Sequence, residues 1–298
     1  MNSTNHFYEK DNCSYYYTCR EGKVTITGFS GYESRVEVPE QIEGAPVCII
    51  AKKTFLGNKH LEEITFPDSL EEIGDWAFAY CSKLKHVTLP RKSLRLGKDV
   101  FTNCPALSEI RFADGEKPNV AKHLAAAATI MEAPYLLDFG ACHTPEWMEQ
   151  WDARLQTIVN TPDEEGYYLQ VLCGEEDYGS TDKGAYMSGR RSRKIRLLFL
   201  RLLDDLEKPA GFKTWMERYL LDHTKGCESE ETWTIIHKEH GRDKAYYQLF
   251  AGIGCLTSEN LPGILDDIKD EYPEMKAYFI NYAGNGSDGG DFFAGLDF

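Results

Sequence analysis

The sequence predicts an α+β protein in which a short β-solenoid of 23-residue coils precedes an all-α domain. Phenylalanine recurs at a step of 23 residues, at Phe55, Phe78 and Phe101. A fixed period between about 20 and 50 residues is the signature of stacked repeat units, each burying an apolar face against its neighbours. Beyond residue 115 the strand pattern ends, and alanine, leucine and long charged residues take over. That composition favours helices.

Several other positions keep the same step. They are Leu61, Leu84 and Leu107; Ile64, Val87 and Ile110; Phe66, Leu89 and Phe112; Pro67 and Pro90; Gly74 and Gly97; and Cys81 and Cys104. Ile64 and Phe66 alternate with Thr65, which is the period of a half-buried strand. We expect the three phenylalanines to stack in one buried column. In the third coil Ser93 stands where Leu70 stood and Leu94 is displaced by one position, so we expect looser packing there.

These positions resemble a known family, the BspA-like leucine-rich repeats of bacterial proteins. The motif L-x-x-I-x-[LF]-P followed by I-G-x-x-A-F-x-x-C stands at Leu61 to Cys81 and, with Val100 in place of Ala, at Leu84 to Cys104. The resemblance covers about residues 15–113. It implies a solenoid that binds a protein or a surface, and it implies no reaction.

Outward positions of the successive first strands form two columns when the repeat is followed, and these are the candidate binding residues. One column holds Arg35, Glu63, His86 and Glu109; the other holds Glu37, Thr65, Thr88 and Arg111. Side chains that face away from the core are free to contact a partner. The alternative is that opposite charges along a column only neutralise each other. Because terminal coils need covering, we expect Tyr15 to Thr27 to close one end and helices after Gly115 the other.

The charge distribution supports a domain boundary near residue 115. Residues 1–115 carry 14 Lys and Arg against 16 Asp and Glu, whereas residues 116–298 carry 19 against 32. We predict a repeat domain at 1–115, an acidic helical domain at 116–285 and a Gly/Asp-rich tail at 286–298. The negative charge disfavours nucleic acid and anionic membranes as partners, because it repels phosphates.

Cysteine usage and the N-terminal composition predict a cytoplasmic protein. The first 17 residues are polar, and no run of 18 or more apolar residues occurs, so we expect neither a secretion signal nor a membrane span. The nine cysteines are odd in number and include no C-x-x-C pair. Mostly buried free thiols in a reducing compartment are the simplest interpretation.

Several helix starts can be placed in the second half. Thr144 is a plausible N-cap for a helix that begins at Pro145, and further starts are predicted at Thr257 and Pro273. Lys194 to Leu206 is strongly apolar and predicts a buried helix. Two short segments, Lys276 to Tyr282 and Arg218 to His223, distantly resemble ankyrin-like helices, although the T-P-L-H turn signature is absent. A stack of helix pairs and an irregular bundle both remain open.

Few residues form a pattern that could carry chemistry. His237 and His240 are three apart with no further ligand in a zinc motif, so solvated helix histidines are the default interpretation. Cys142 and His143 are adjacent, but neighbouring side chains do not face each other on a helix. No G-x-G-x-x-G or Walker loop occurs, and we predict no cofactor and no metal. The acidic pairs Asp204-Asp205 and Asp266-Asp267 are expected on solvated faces.

Two further segments could dock a partner. The basic cluster consists of Arg190, Arg191, Arg193, Lys194 and Arg196. It could bind an acidic partner, or its cations could pair with carboxylates of the same domain. The apolar end of the tail, Asp291 to Phe298, could enter a groove on this molecule or on another.

The function predicted from the sequence is a non-enzymatic interaction or scaffold protein with a protein partner. It would bind through the repeat face, the helical domain or both. Two alternatives stay open: an enzyme whose site lies in the helical domain, and a surface adhesin exported without a recognisable signal. A deep pocket with clustered perturbed pKa values would favour the enzyme.

Overall fold

The computed structural model describes residues 6–115, 118–142, 144–168, 182–227 and 229–285. The predicted tail, residues 286–298, lies outside these ranges. The chain divides into two compact units, Met1–Gln156 and Thr157–Phe298, called here the repeat unit and the helical unit. The last strand and the first helix do flank residue 115, but the compact repeat unit extends to Gln156 and so includes one whole helix and most of a second. The sequence-based domain bounds stay a prediction.

The repeat unit contains two sheets. Its strands are β1 His6–Lys10, β2 Cys13–Arg20, β3 Lys23–Ser30, β4 Arg35–Glu37, β5 Gln41–Ile42, β6 Ala45–Ile50, β7 Glu63–Thr65, β8 Glu72–Ile73, β9 His86–Leu89, β10 Arg95–Leu96 and β11 Glu109–Phe112. One sheet has the order β1-β2-β3-β6-β8-β10, with β5 paired to β6, and the other has the order β4-β7-β9-β11. From β3 and β4 onward these two ladders are parallel. They form a solenoid of about four turns with coils of about 23 residues.

The predicted aromatic column fills the solenoid. The rings of Phe55 and Phe78 stack with centroids 4.9 Å apart, and those of Phe78 and Phe101 with centroids 5.7 Å apart. All three side chains are buried, so this prediction is confirmed. The column continues through Phe29 to Tyr15 of the N-terminal hairpin. Rings at one coil spacing contact each other because the step repeats both position and orientation.

The repeated cysteines serve the same core. The Cys81 thiol donates to the carbonyl oxygen of Phe55 at 3.1 Å, and the Cys104 thiol donates to that of Phe78 at 3.0 Å. Each thiol therefore satisfies a carbonyl in the preceding coil, 26 residues earlier in the chain. Small size and a weak S–H donor explain why cysteine suits this buried position.

Both ends of the array are covered as expected. At one end β2 pairs with β3, and β3 continues in parallel to β6. At the other, helix α1 (Pro118–Thr129) packs beside β11, and Phe112 contacts Phe139 edge to face at 5.8 Å. The predicted loose corner is also present. Leu94 is 9% exposed, whereas Leu70 of the preceding coil is fully buried. A cleft of about 260 Å³ lies between Ser93, Leu94 and Leu96 and the segment that begins with a short 3-10 helix, Pro134–Leu136.

Helix α2, Pro145–Asn160, begins where the sequence predicted. The hydroxyl of Thr144 accepts from the backbone N–H of Trp147 at 3.2 Å. The indole N–H of Trp151 donates to the carbonyl of His123 in α1 at 3.3 Å. These contacts fix α2 on the layer that closes the repeat.

The helical unit continues with six helices in its described residues. They are α3 Lys183–Leu203, α4 Phe212–Asp222, α5 Glu231–Glu239, α6 Lys244–Gly252, α7 Leu261–Ile268 and α8 Pro273–Asn285. With α1 and α2, eight helices follow the solenoid in the described residues, in agreement with the predicted α+β fold class. Pro273 begins α8 as predicted, but Thr257 does not begin a helix. Thr257 and Asn260 exchange backbone-to-side-chain hydrogen bonds, so the chain makes a closed turn and α7 starts at Leu261.

The expectation that the acidic pairs are solvated is wrong for Asp204. Asp204 is buried, and its carboxylate binds Arg201 at 2.8 Å and Lys208 at 3.0 Å. Asp267 accepts from the indole N–H of Trp233 at 2.8 Å and pairs with Lys225. The buried Asp204 carboxylate satisfies donors that would otherwise lose water, whereas the Asp267 side chain stays 35% exposed while it joins α7 to Trp233 and Lys225.

Candidate functional site

The eight candidate binding residues lie on the second sheet, called here the strand face, in the two columns expected. Parallel pairing places Arg35 opposite Glu63, Glu63 opposite His86, and His86 opposite Glu109. The second column runs through Glu37, Thr65, Thr88 and Arg111 in the same pairings. Val36, Ile64, Val87 and Ile110 of the same strands are buried. The alternation therefore turns one residue set into the core and leaves the other outside.

Charges on the strand face alternate and pair with each other. The Arg35 guanidinium lies 3.3 Å from the Glu63 carboxylate. The imidazole of His86 lies between two carboxylates, with Nδ1 3.4 Å from Glu63 and Nε2 3.9 Å from Glu109. Arg111 closes the chain of pairs on Glu109. This arrangement is expected if the charges only neutralise each other. It also suits a polar interface, because the donor and acceptor positions are fixed.

The centre of the strand face is less accessible than its ends. The side chains of Arg35 and Arg111 are 79% and 45% exposed, whereas those of His86 and Glu109 are 24% and 19% exposed. Nδ1 of His86 is buried without a hydrogen bond. That atom faces Glu63 inside the column, so the groups that another surface could contact there are the partly exposed carboxylates of Glu63 and Glu109.

The basic cluster is mostly paired inside the helical unit. Arg191 binds Glu231 at 2.9 Å, and Arg196 binds Glu239 at 2.6 Å. Lys194 is buried and binds Asp163 at 2.7 Å. Although burial acts in the opposite direction, hydrogen bonds from Ser229 and Arg191 hold the pKa of the Glu231 carboxyl below its ordinary value. The internal-pairing interpretation therefore accounts for three of the five cations.

The candidate histidines stack on aromatic rings, and the candidate thiol forms a hydrogen bond with the backbone. His237 stacks on the Trp233 ring at 5.7 Å, and His240 stacks on Tyr246 at 3.7 Å. Neither is a freely solvated side chain, which corrects the default interpretation, because an aromatic ring four to six residues away in the sequence packs against each. Cys142 is buried and donates to the Phe139 carbonyl at 3.4 Å. Its sequence neighbour His143 lies outside the described residues.

The described residues contain neither a group of metal ligands nor a helix that could span a membrane. Among the described residues, no group of three or more His, Cys, Asp or Glu side chains could hold a metal ion. Over the same residues, no helix combines the length and apolar character that crossing a membrane requires.

The sequence analysis missed a second set of surface residues, on the loops that join the two ladders of the solenoid. Trp76 and Tyr80 lie there at two positions with left-handed backbone, with φ of 52° and 63°. The repeat predicts one inward aromatic ring per coil, and Phe78 supplies it. Trp76 and Tyr80 are therefore additional rings, which the 23-residue alignment of Lys53, Trp76 and Asp99 could have indicated.

A comparison with protein families accounts for the repeat. The family model described as "BspA type Leucine rich repeat region (6 copies)" matches residues 36–120. Residues 36–120 form a BspA-type leucine-rich repeat region. Leucine-rich repeat proteins are generally protein-interaction modules and generally non-enzymatic. A search of curated proteins gives no match to this chain.

Solved leucine-rich repeat structures resemble the chain over about a third of its length. A leucine-rich repeat protein of T. pallidum is 29% identical over 31% of this chain and 55% of its own, with a TM-score of 0.27. One from Bacteroides capillosus is 27% identical over 37% of this chain and 86% of its own, with a TM-score of 0.32. One from Bacteroides ovatus is 28% identical over 35% of this chain and 29% of its own, with a TM-score of 0.30. The chain thus spans about half the length of the T. pallidum structure.

Proposed function

We propose that the protein is a non-enzymatic interaction protein that binds a protein partner through the strand face of its leucine-rich repeat. The supporting observation is the fixed register of the two outward columns, which holds eight side chains on one sheet surface. Parallel strands lie about 4.8 Å apart, so a partner meets a rigid grid of alternating charge flanked by threonine hydroxyls. Rigid presentation lowers the entropy lost on association.

The central residues of this proposed interface are Glu63, Thr65, His86 and Thr88. They occupy β7 and β9, the inner strands of the sheet. A partner centred there would cover the less exposed carboxylates of Glu63 and Glu109. Central, desolvated contacts contribute most of the binding energy in protein interfaces. Arg35 and Arg111, which are more exposed, would lie at the rim.

The perturbed groups of the helical unit have structural causes, and this supports a binding role over an enzymatic one. A hydrogen bond from Arg196 lowers the pKa of Glu239. Burial raises the pKa of the phenols of Tyr219, Tyr246 and Tyr247. Each shift arises from an ion pair or from packing.

The test is affinity capture from the source cells, with two baits beside the wild type. The strand-face variant carries Glu63→Ala, Thr65→Ala, His86→Ala and Thr88→Ala. A control variant carries Glu72→Ala and Arg95→Ala, which removes an ion pair of 2.9 Å from the other ladder of the same coils. The proposal expects a protein that the wild type and the control both capture and the strand-face variant does not. Equal capture by all three folded baits would reject the strand face as the binding surface.

We also propose a cytoplasmic location. The Cys81 and Cys104 thiols donate hydrogen bonds within the core, and reduced thiols persist in a reducing compartment. Fractionation of the source cells tests this: recovery in the exported or surface fraction would support the adhesin alternative.

A further inference from the structure

A second surface of the solenoid is formed by the loops that lead from β6, β8 and β10 to the following strands. These loops are residues 51–60, 74–83 and 97–106, and their outer side is called here the corner face. Backbone hydrogen bonds stack them in register. Lys53 N–H donates to Asp75 O at 3.0 Å, and Trp76 N–H donates to Lys98 O at 2.9 Å. Equivalent residues of the three coils therefore lie one above another.

Each loop has two positions with left-handed backbone. The first is occupied by Lys53, Trp76 and Asp99, with φ of 62°, 52° and 53°, and the second by Gly57, Tyr80 and Asn103, with φ of 68°, 63° and 55°. Glycine and asparagine suit this backbone, whereas bulky residues rarely adopt it. The middle coil nevertheless holds tryptophan at one position and tyrosine at the other.

These two aromatic residues are not needed by the core. Ala77 and Phe78, between them, are fully buried. The Tyr80 side chain is 58% exposed, and Leu56 in the preceding loop is 44% exposed. The corner face thus carries three apolar side chains on stacked loops: the exposed Leu56 and Tyr80, and the half-buried Trp76. Tryptophan and tyrosine are the residues most enriched at the energetic centres of protein interfaces.

Four lysines of these loops form no ion pair with the described residues, although the charge of Lys83 helps to lower the pKa of Glu62. Lys52, Lys53, Lys59 and Lys83 are exposed, and none has a carboxylate within 4.0 Å in the described part of the chain. The Lys53 ammonium lies 5.4 Å from the centre of the Trp76 ring. On the two ladders the cations are paired instead: Lys23 with Glu71 and Lys85 with Glu62, each at 2.7 Å. When Lys98, Asp75 and Asp99 are included, these loops carry five lysines against two aspartates, so the corner face keeps a net positive charge in this acidic protein.

We propose that the corner face docks an acidic protein segment that carries an apolar side chain. The lysines would attract its carboxylates, and Leu56, Trp76 and Tyr80 would take its apolar group. A short segment fits better than a nucleic acid or an anionic membrane. A short segment lies within reach of the lysine charges, which salt screens beyond ~8 Å. An extended polyanion would also be repelled by the rest of a chain whose net charge is −15. This surface is distinct from the strand face, so the inference does not depend on it.

The probe is a fluorescein-labelled peptide of ten glutamates interrupted by two leucines, with its binding to the full chain measured by fluorescence anisotropy. The lysine variant carries Lys52→Gln, Lys53→Gln, Lys59→Gln and Lys83→Gln. A charge-matched control carries Lys23→Gln, Lys85→Gln, Lys92→Gln and Arg95→Gln, four cations that already have oxygen partners. An aromatic variant carries Trp76→Asn and Tyr80→Asn, because asparagine accepts left-handed backbone, as Asn103 does.

We expect the lysine variant to weaken peptide binding at least about tenfold and the aromatic variant at least about fivefold. The control and the strand-face variant should change binding less than about twofold. Equal losses in the lysine variant and its control, or no loss in the aromatic variant, would overturn the proposal. It would also be overturned by failure of the peptide to bind. Tighter lysine-dependent binding of oligo-dT or of phosphatidylserine vesicles would assign the surface to another class of ligand.

Discussion

The two units of this protein are held together by different kinds of contact. In the repeat unit, Phe55, Phe78 and Phe101 stack in one column, and each ring contacts the equivalent ring of the next coil. In the helical unit, the buried ion pairs of Arg201 with Asp204 and of Lys194 with Asp163 occur once each. Repetition spreads stability over equivalent neighbours. A buried ion pair that occurs once makes stability depend on two residues, because removing one partner leaves a buried charge uncompensated.

The difference also explains where surface charge is available for binding. The helical unit uses three cations of its basic cluster internally, on Asp163, Glu231 and Glu239. Over the described residues 6–115, which hold the solenoid coils, no charged side chain is buried, and the charged side chains are left on the outer faces. A short repeat can therefore keep its fold while its outward residues vary.

The largest effect expected in the repeat unit comes from Phe78→Ala. This change removes the middle ring of the column and leaves both neighbouring rings without their contact, so it should destabilise the unit by ~3–5 kcal/mol. Urea unfolding followed by circular dichroism measures the loss. Thr102→Ala, at an exposed position of the next loop, serves as the control and should cost less than ~0.5 kcal/mol. A loss below ~1 kcal/mol for Phe78→Ala would show that the column does not support the repeat.

The corresponding change in the helical unit is Arg201→Leu. Arg201 is fully buried, and it binds Asp204 together with the carbonyl oxygen of Glu207 at 2.8 Å. Because Lys208 still neutralises part of the Asp204 charge, we expect a loss of about 3 kcal/mol, at the lower end of the range for broken buried pairs. Arg218→Ala removes an exposed pair with Asp222 and should cost under ~0.5 kcal/mol. If the two variants unfold at the same urea concentration, the buried pair does not stabilise the unit.

A smaller effect is expected from acid. The Arg196 hydrogen bond lowers the pKa of Glu239 below its ordinary value of 4.5, so the folded state binds this proton less readily than the unfolded state. The stability contributed by the pair is present above pH ~4.5 and is lost as the pH falls through the lowered pKa. Glu239→Gln lacks this contribution at every pH. Its thermal midpoint should therefore fall less between pH 7 and pH 4 than that of the wild type.

The acid comparison has a control within the same unit. Glu259 is exposed and has no ion pair among the described residues, so Glu259→Gln should retain the wild-type dependence on pH. A wild-type response from Glu239→Gln would mean that the pair with Arg196 makes no difference between the folded and unfolded states.

The sequence was sufficient to predict the repeat core, because the partner of each residue lies one coil away. Phe78, Cys81 and Ile64 needed only the period to be placed inside, and Glu63 and His86 only the alternation to be placed outside. The looser corner at Ser93 followed from a single displaced leucine. The motif alone does not mark the exposure of side chains at loop positions outside it, such as Trp76 and Tyr80, since a residue there can point outward without breaking the repeat.

In the helical unit, by contrast, no repeat period indicates how far along the chain the partner of a given residue lies. Lys194 binds Asp163, 31 residues earlier, and Asp267 accepts from Trp233, 34 residues earlier. Such partners depend on how the helices pack, so a charged residue that the sequence places on the surface, such as Lys194, can be buried. Thr144 was predictable as an N-cap because capping is local, within three residues.

The measurement that tests the central claim most directly is the affinity of the captured partner for two variants of the full chain. One is the strand-face variant, and the other carries Arg190→Ala and Arg193→Ala, the two cations of the basic cluster that form no ion pair among the described residues. If the strand face of the repeat is the binding surface, the first variant should raise Kd at least about tenfold and the second less than about twofold. The opposite result, with Kd unchanged by the strand-face substitutions and raised by loss of the arginines, would place binding on the helical unit and contradict the account.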